Sequence, residues 1–166
     1  MADAQILVAR VDEMAQVRVT GRASMNCSRS FRDFAFKALD DGVERLLVDL
    51  SACEAMDSTF MGVLAQIGVR SKQKKARFEV VNASETRKKQ LKVIGVHRVV
   101  TFTYTDDMDG DWTSLSRAKV TELEHAKMVY KAHETLIEID SKNVPEFKDV
   151  VDFLRDDIQR REDQDN

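Results

Sequence analysis

The passage that most constrains this chain is "VERLLVDLSACEAMDSTFMGVLAQIG", residues 43 to 68. Its first part, "VERLLVDLS" (43 to 51), is aliphatic and of strand length, as expected of a strand buried on both faces. Its second part, "STFMGVLAQIGVRSKQ" (58 to 73), shifts to spacings of three and four. Phe60, Val63, Leu64 and Ile67 form the apolar stripe of a helix. A two-sided strand feeding directly into a helix is half of a crossover unit, and crossover units build parallel sheets.

The rest of the chain to about residue 108 keeps that alternation. "QILVARV" (5 to 11) and "AQVRVTG" (15 to 21) are two β-rich runs joined through "DEM", which predicts a hairpin. "NCSRSFRDFAFKALDDG" (26 to 42) carries Phe31, Phe34, Ala35, Ala38 and Leu39 on one helical face. Asn26 or Ser28 is the candidate cap and Gly42 the stop. "ARFEVVNAS" (76 to 84) predicts a strand. "SETRKKQLKVIG" (84 to 95) predicts a helix with Ser84 as N-cap and Gly95 as terminator, and "VVTFTYT" (99 to 105) a last short strand. The order β-β-α-β-α-β-α-β implies an α/β fold with a mixed, mostly parallel sheet and an antiparallel edge from the opening hairpin.

After the polar break "DDMDGD" (106 to 111) the strand signal ends. Leu123, Ala126, Tyr130, His133 and Ile137, then Phe147, Val150, Val151, Leu154 and Ile158, recur at helical spacing. Two amphipathic helices are expected, with Pro145 in the first turn of the second. The expected organisation is a domain over 1 to 108 and a helical hairpin over 109 to 166, serving packing or oligomerisation.

Asp57, Ser58 and Thr59 stand where the strand gives way to the helix, at the carboxyl edge of the sheet, where open α/β sheets usually build their sites. Asp57 or Ser58 as N-cap would stabilise the helix by about 1 kcal/mol. The same unpaired N–H groups and the positive end of the helix dipole also suit a phosphorylated hydroxyl. Asp57 would repel such a phosphate, yet it is placed to orient the Ser58 hydroxyl before transfer.

Around this joint the chain resembles the STAS domains, the anti-sigma factor antagonist family. The matching elements are Asp49-Leu50-Ser51, then Met56, Asp57-Ser58-Thr59 and Gly62. The resemblance extends over about 5 to 108, through Val19-Thr20-Gly21, "FEVVNAS" (78 to 84) and "LKVIGVHRVV" (91 to 100). It implies a non-enzymatic switch. Ser58, with Thr59 as the alternative, is the phosphoacceptor for a serine kinase that is also an anti-sigma factor, and a metal-dependent serine phosphatase reverses the modification. The unmodified form binds the kinase, and phosphorylation releases it. Met56, Asp57, Ser58, Thr59, Met61 and Gly62 are the implied partner-binding residues, on loop 51 to 57 and the exposed face of helix 58 to 70. Members often carry Gly-Glu-Leu-Asp after the second strand. Here "GRASMN" places Arg22 and Ser24 where acids are expected, so that part of the partner surface has changed sign.

Other functions find little support. A net charge of −3 with both signs mixed argues against direct binding of nucleic acid. "RSKQKKAR" (70 to 77) reads as a solvated helix end. Cys27 and Cys53 form no disulfide framework or metal motif, and the charged N-terminus lacks the apolar core of a signal peptide. No run approaches the roughly 20 apolar residues of a membrane helix, so a cytoplasmic protein is expected. His125 and His133 are too far apart for a pair of ligands one turn apart, and no histidine lies near Ser58 in any motif, so neither a metal site nor a catalytic triad is expected. No cofactor signature is present. The competing reading is a constitutive scaffold in a signalling complex, with Ser58 only a helix cap and a homodimer formed through 112 to 166.

Overall fold

A computed structural model describes residues 3–166 of the protein. The start of the expected domain at residues 1 and 2 lies outside the described residues. β1 (Gln5–Val11) and β2 (Met14–Ala23) form the expected hairpin, paired from Gln5 with Thr20 to Val11 with Met14. Only Asp12 and Glu13 remain for the turn. Asp12 takes a left-handed φ of 53°, which aspartate tolerates better than most residues.

α1 (Met25–Asp40) leads into β3 (Arg45–Met56), which pairs parallel with β2. α2 (Ser58–Gln73) leads to β4 (Arg77–Val81), and α3 (Glu85–Val93) with a 3-10 turn leads to β5 (Thr101–Thr103). Both later strands continue the parallel sheet. Ser84 caps α3 by accepting from the N–H of Arg87, and Gly95 follows with φ +80°. The sheet order is β5-β4-β3-β2-β1-β6. The outermost strand, β6 (Thr113–Ser114), pairs antiparallel with β1 and had no sequence signal. At two residues it is too short for an alternating pattern to register.

Three further differences have physical causes. β3 runs five residues beyond Ser51, because β2 supplies partners as far as Ala23 opposite Met56. Register shifts at Arg18/Thr20 and Gly21/Arg22 absorb the bend, so residues 51 to 56 are an irregular strand and not a loop. α1 is capped by Ser24, two residues before Asn26 and four before Ser28, the expected caps, with Ser24 Oγ accepting from the N–H of Asn26. The basic run 70 to 77 is partly neutralised, Arg70 and Lys74 by Asp40 and Arg77 by Glu79.

The core lies between the sheet and its helices. Val17, Val19, Leu46, Val48, Leu50 and Val80 meet Phe31, Ala35, Phe60, Leu64 and Ile67, all buried. Phe31 and Phe60 stack with ring centroids 5.2 Å apart and fix α1 against α2. On the opposite face of the sheet Leu47, Val81 and Met108 form a second cluster, with Met14 and Trp112 against it.

α4 (Glu122–Ile139) and α5 (Val144–Asp165) form the C-terminal hairpin. α4 opens with a capping box between Thr121 and Glu124. Ala132, Leu136 and Phe147 join the core of the α/β unit. The hairpin turn is pinned by Asn143, whose Nδ2 donates to the carbonyls of Ile94 and Leu136 at 2.8 and 2.7 Å. Arg98 adds a bond to the Ile139 carbonyl and an ion pair with buried Asp140.

Candidate functional site: the strand-to-helix joint

Asp57 follows β3 in extended backbone and is the N-cap of α2. Its Oδ1 accepts from the N–H of Phe60 at 2.8 Å, and its Oδ2 accepts from the N–H of Met25, the first residue of α1, also at 2.8 Å. One carboxylate thus holds the starts of two helices, where each has unpaired donors and a positive dipole end. The Asp57 carboxylate, expected to orient the Ser58 hydroxyl, has one oxygen bonded to the backbone of each helix.

The Ser58 hydroxyl is oriented by a residue 75 positions away. Ser58 Oγ lies 2.8 Å from Nε2 of His133, on α4. The other ring nitrogen, Nδ1, lies 2.7 Å from the Val129 carbonyl. A carbonyl only accepts, so Nδ1 carries a proton. In the neutral ring Nε2 then holds a lone pair, and the Ser58 hydroxyl donates to it. His133 is buried, with its ring edge-on to Phe147 of α5 at a centroid distance of 5.2 Å. Its place on the apolar stripe of α4 was legible; its meeting with Ser58 was not, because no local spacing encodes a contact between two separately folded segments.

The other expected site residues differ in accessibility. Thr59 is buried, 2% exposed, and so is Met56. Met61 is partly buried against the core. Gly62 is buried against α4 so closely that a Cβ there would stand 2.5 Å from the carbonyl oxygen of Ala132. The expectation of an exposed outer face on helix 58 to 70 is therefore corrected: α4 covers it. What stays open beside half-buried Ser58 is a patch containing Arg22, Met25, Asn26, Ala52 and Glu54. Arg22 is exposed, as the altered "GRASMN" segment implied, while Ser24 is spent on capping α1.

Asp49, first residue of the Asp-Leu-Ser run, is buried in the sheet. Its Oδ1 accepts from the N–H of Ser51 at 2.9 Å and its Oδ2 pairs with Arg18 Nε at 3.3 Å. Arg18 stacks over Trp112 at 4.5 Å from the ring centroid. This group lies beside the first register shift between β2 and β3. Burial pushes the Cys27 thiol up to about 11 and raises that of Cys53, so both thiols stay protonated and weakly nucleophilic at neutral pH. Among the described residues no group of three or more His, Cys, Asp or Glu is placed to hold a metal ion, and no helix is long and apolar enough to cross a membrane.

Known proteins share this fold. An anti-sigma factor antagonist from Mycobacterium paratuberculosis is 22% identical, with a TM-score of 0.54 over 63% of this chain and 88% of that one. The unphosphorylated anti-sigma factor antagonist SpoIIAA is 18% identical, with a TM-score of 0.51 over 76% of this chain and 97% of its own. The phosphorylated form of SpoIIAA, a Bacillus cell fate determinant, is 17% identical, with a TM-score of 0.53 over 63% and 93%. At these identities the likeness concerns the fold. No curated protein matches the chain. The family model described as "Mlab, STAS domain" matches residues 6–101, which span β1 to the start of β5 and contain the whole joint. With more than half of its length matched by that model, and the fold of the anti-sigma factor antagonists around the joint, the chain belongs to the STAS domain family.

Proposed function

We propose that the protein is a phosphorylation-controlled interaction switch of the anti-sigma factor antagonist kind, with Ser58 as the acceptor and no catalysis of its own. The observation that carries this reading is the position of Ser58. It is the first residue of α2, at the carboxyl end of a parallel strand, and its hydroxyl is bonded to His133 and not consumed by the cap that Asp57 forms. Thr59, the alternative, is buried, which favours Ser58. The unmodified form binds a serine kinase of the anti-sigma type, and a serine phosphatase restores it. A phosphate adds a charge of roughly −1.5 to −2 beside the Asp57 carboxylate, and a partner interface closed over that charge without a cation loses several kcal/mol. The patch with Arg22 and Met25 extends the partner surface beyond α2. The test is incubation of the full chain with such a kinase and ATP, followed by peptide mass mapping. One phosphate on the peptide containing Ser58, lost in Ser58→Ala, is expected; equal labelling of both proteins overturns the assignment.

One observation favours a second reading, assembly through the hairpin. Val150 and Phe153 on α5 are 40% and 64% exposed, side by side on the face turned from the core. In that reading the protein is a constitutive homodimeric scaffold. Sedimentation equilibrium checks it: a dimer converted to monomer by Phe153→Glu supports the scaffold, and a monomeric wild type removes it.

A further inference from the structure

The hairpin lies on the helix that the switch would have to present. Ser58 Oγ meets Nε2 of His133 at 2.8 Å. One turn along α2, Gly62 approaches the backbone of Ala132 so closely that no other residue fits without displacement. A further turn along, Gln66 is buried, and with Val69 and Arg70 it shares a depression with Lys131, Thr135 and Glu138 of α4. Three successive turns of α2 thus face α4. Helices in backbone contact at a glycine pack closer than side chains normally allow, so the contact is specific to this pair of faces.

We infer that the α4–α5 hairpin is a tethered competitor for the α2 face: it occupies the surface a partner would use, and Ser58 becomes available to a kinase only when the hairpin lifts. This rests on the reading of Ser58 as acceptor. In the closed form the Ser58 hydrogen points into the imidazole of a buried residue, and α4 stands over the hydroxyl. In the open form Oγ attacks the γ-phosphorus of ATP, the bond from that phosphorus to the β–γ bridging oxygen breaks, ADP leaves, and the hydroxyl proton passes to a base of the kinase. The pinned turn at Asn143 and Asp140 is the anchor about which α4 would have to give way.

Accessibility is measured without any kinase. Full-length Ser58→Cys is treated with iodoacetamide, and modification is followed by peptide mass, so that Cys27 and Cys53 are read apart. The same reaction is run with Ala132→Arg added, which drives a long side chain between α4 and α2. The hairpin predicts that the second protein reacts at least about tenfold faster at position 58, the ratio expected when a local opening must precede the reaction. Equal rates overturn the inference. If Ala132→Arg fails to fold by circular dichroism, Gly62→Ala substitutes for it, since one methyl favours the helix while clashing with Ala132. The kinase arm separates the two readings. Faster phosphorylation of Ala132→Arg than of wild type supports the competitor. Equal phosphorylation of both overturns the competitor and keeps the acceptor. Split thiol rates with no phosphate on either protein keep the competitor's cover of α2 and remove the acceptor.

Discussion

At the scale of single residues, the joint depends on Asp57 and His133 in different ways. Asp57 accepts two backbone N–H groups from two helices, and both donors lose their partner when the carboxylate is removed. Asp57→Ala is expected to destabilise the protein by about 2 kcal/mol, the upper end for a lost cap. Asp57→Asn, which keeps one carbonyl oxygen, is expected to cost less than half of that. Urea unfolding followed by circular dichroism gives both values. His133→Ala leaves the Ser58 hydroxyl without its acceptor and opens space beside Phe147. Asp57 was readable because capping is local: a small acceptor three residues before the N–H it satisfies. The partner of Ser58 was not, since the sequence states only that His133 lies on an apolar stripe, and many surfaces would bury that stripe.

At the scale of elements, α2 decides the structure because it is covered on more than one side. Phe60 stacks on Phe31 of α1, while Gly62 receives α4. Its apolar stripe was legible as Phe60, Val63, Leu64 and Ile67, and all four are buried. The burial of Thr59, Gly62, Ala65, Gln66 and Gly68 was not foreseen, because a helix in a two-layer unit needs only one buried stripe. At Gly62 the extra burial is the imprint of the hairpin, while Gly68 is closed off by Val99 of the α/β unit. Phe60→Ala removes a ring from the contact of α1, α2 and the sheet, and a loss of about 3 to 5 kcal/mol is expected from thermal or urea unfolding. The strands divide in a similar way. Those with dense Val and Leu were found from pattern. The extension of β3 to Met56 and the two-residue β6 exist because a neighbouring strand offers unpaired groups, which is a property of the sheet and not of either segment.

For the whole molecule, acid response reports how the far face of the sheet is held together. Glu79 on β4 has a buried side chain and makes a two-pronged pair with Arg45 of β3, with Arg77 nearby. The bond from Arg45 holds the Glu79 carboxyl below the usual glutamate range, against the opposing effect of burial. A group whose folded pKa is depressed binds its proton more readily in the unfolded chain. Its contribution is therefore complete above the unfolded value, about 4.3, and is lost as pH falls through the lower folded value. Arg45 is itself nearly half exposed, so solvent screening keeps the pair modest, about 0.5 to 1 kcal/mol. Glu79→Gln should be less stable than wild type at pH 7 by that amount, and the gap should close as pH falls from 5 to 3. Urea midpoints at pH 7, 5, 4 and 3 measure it. A gap that stays constant down to pH 3 would mean that the loss comes from packing at the β3–β4 pair and not from charge. Because β3 carries Asp57 at its end, the same series run with iodoacetamide on Ser58→Cys shows whether loosening the sheet at Glu79 reaches the joint. A core that transmits only through α2 predicts that reactivity at position 58 stays unchanged until global unfolding begins.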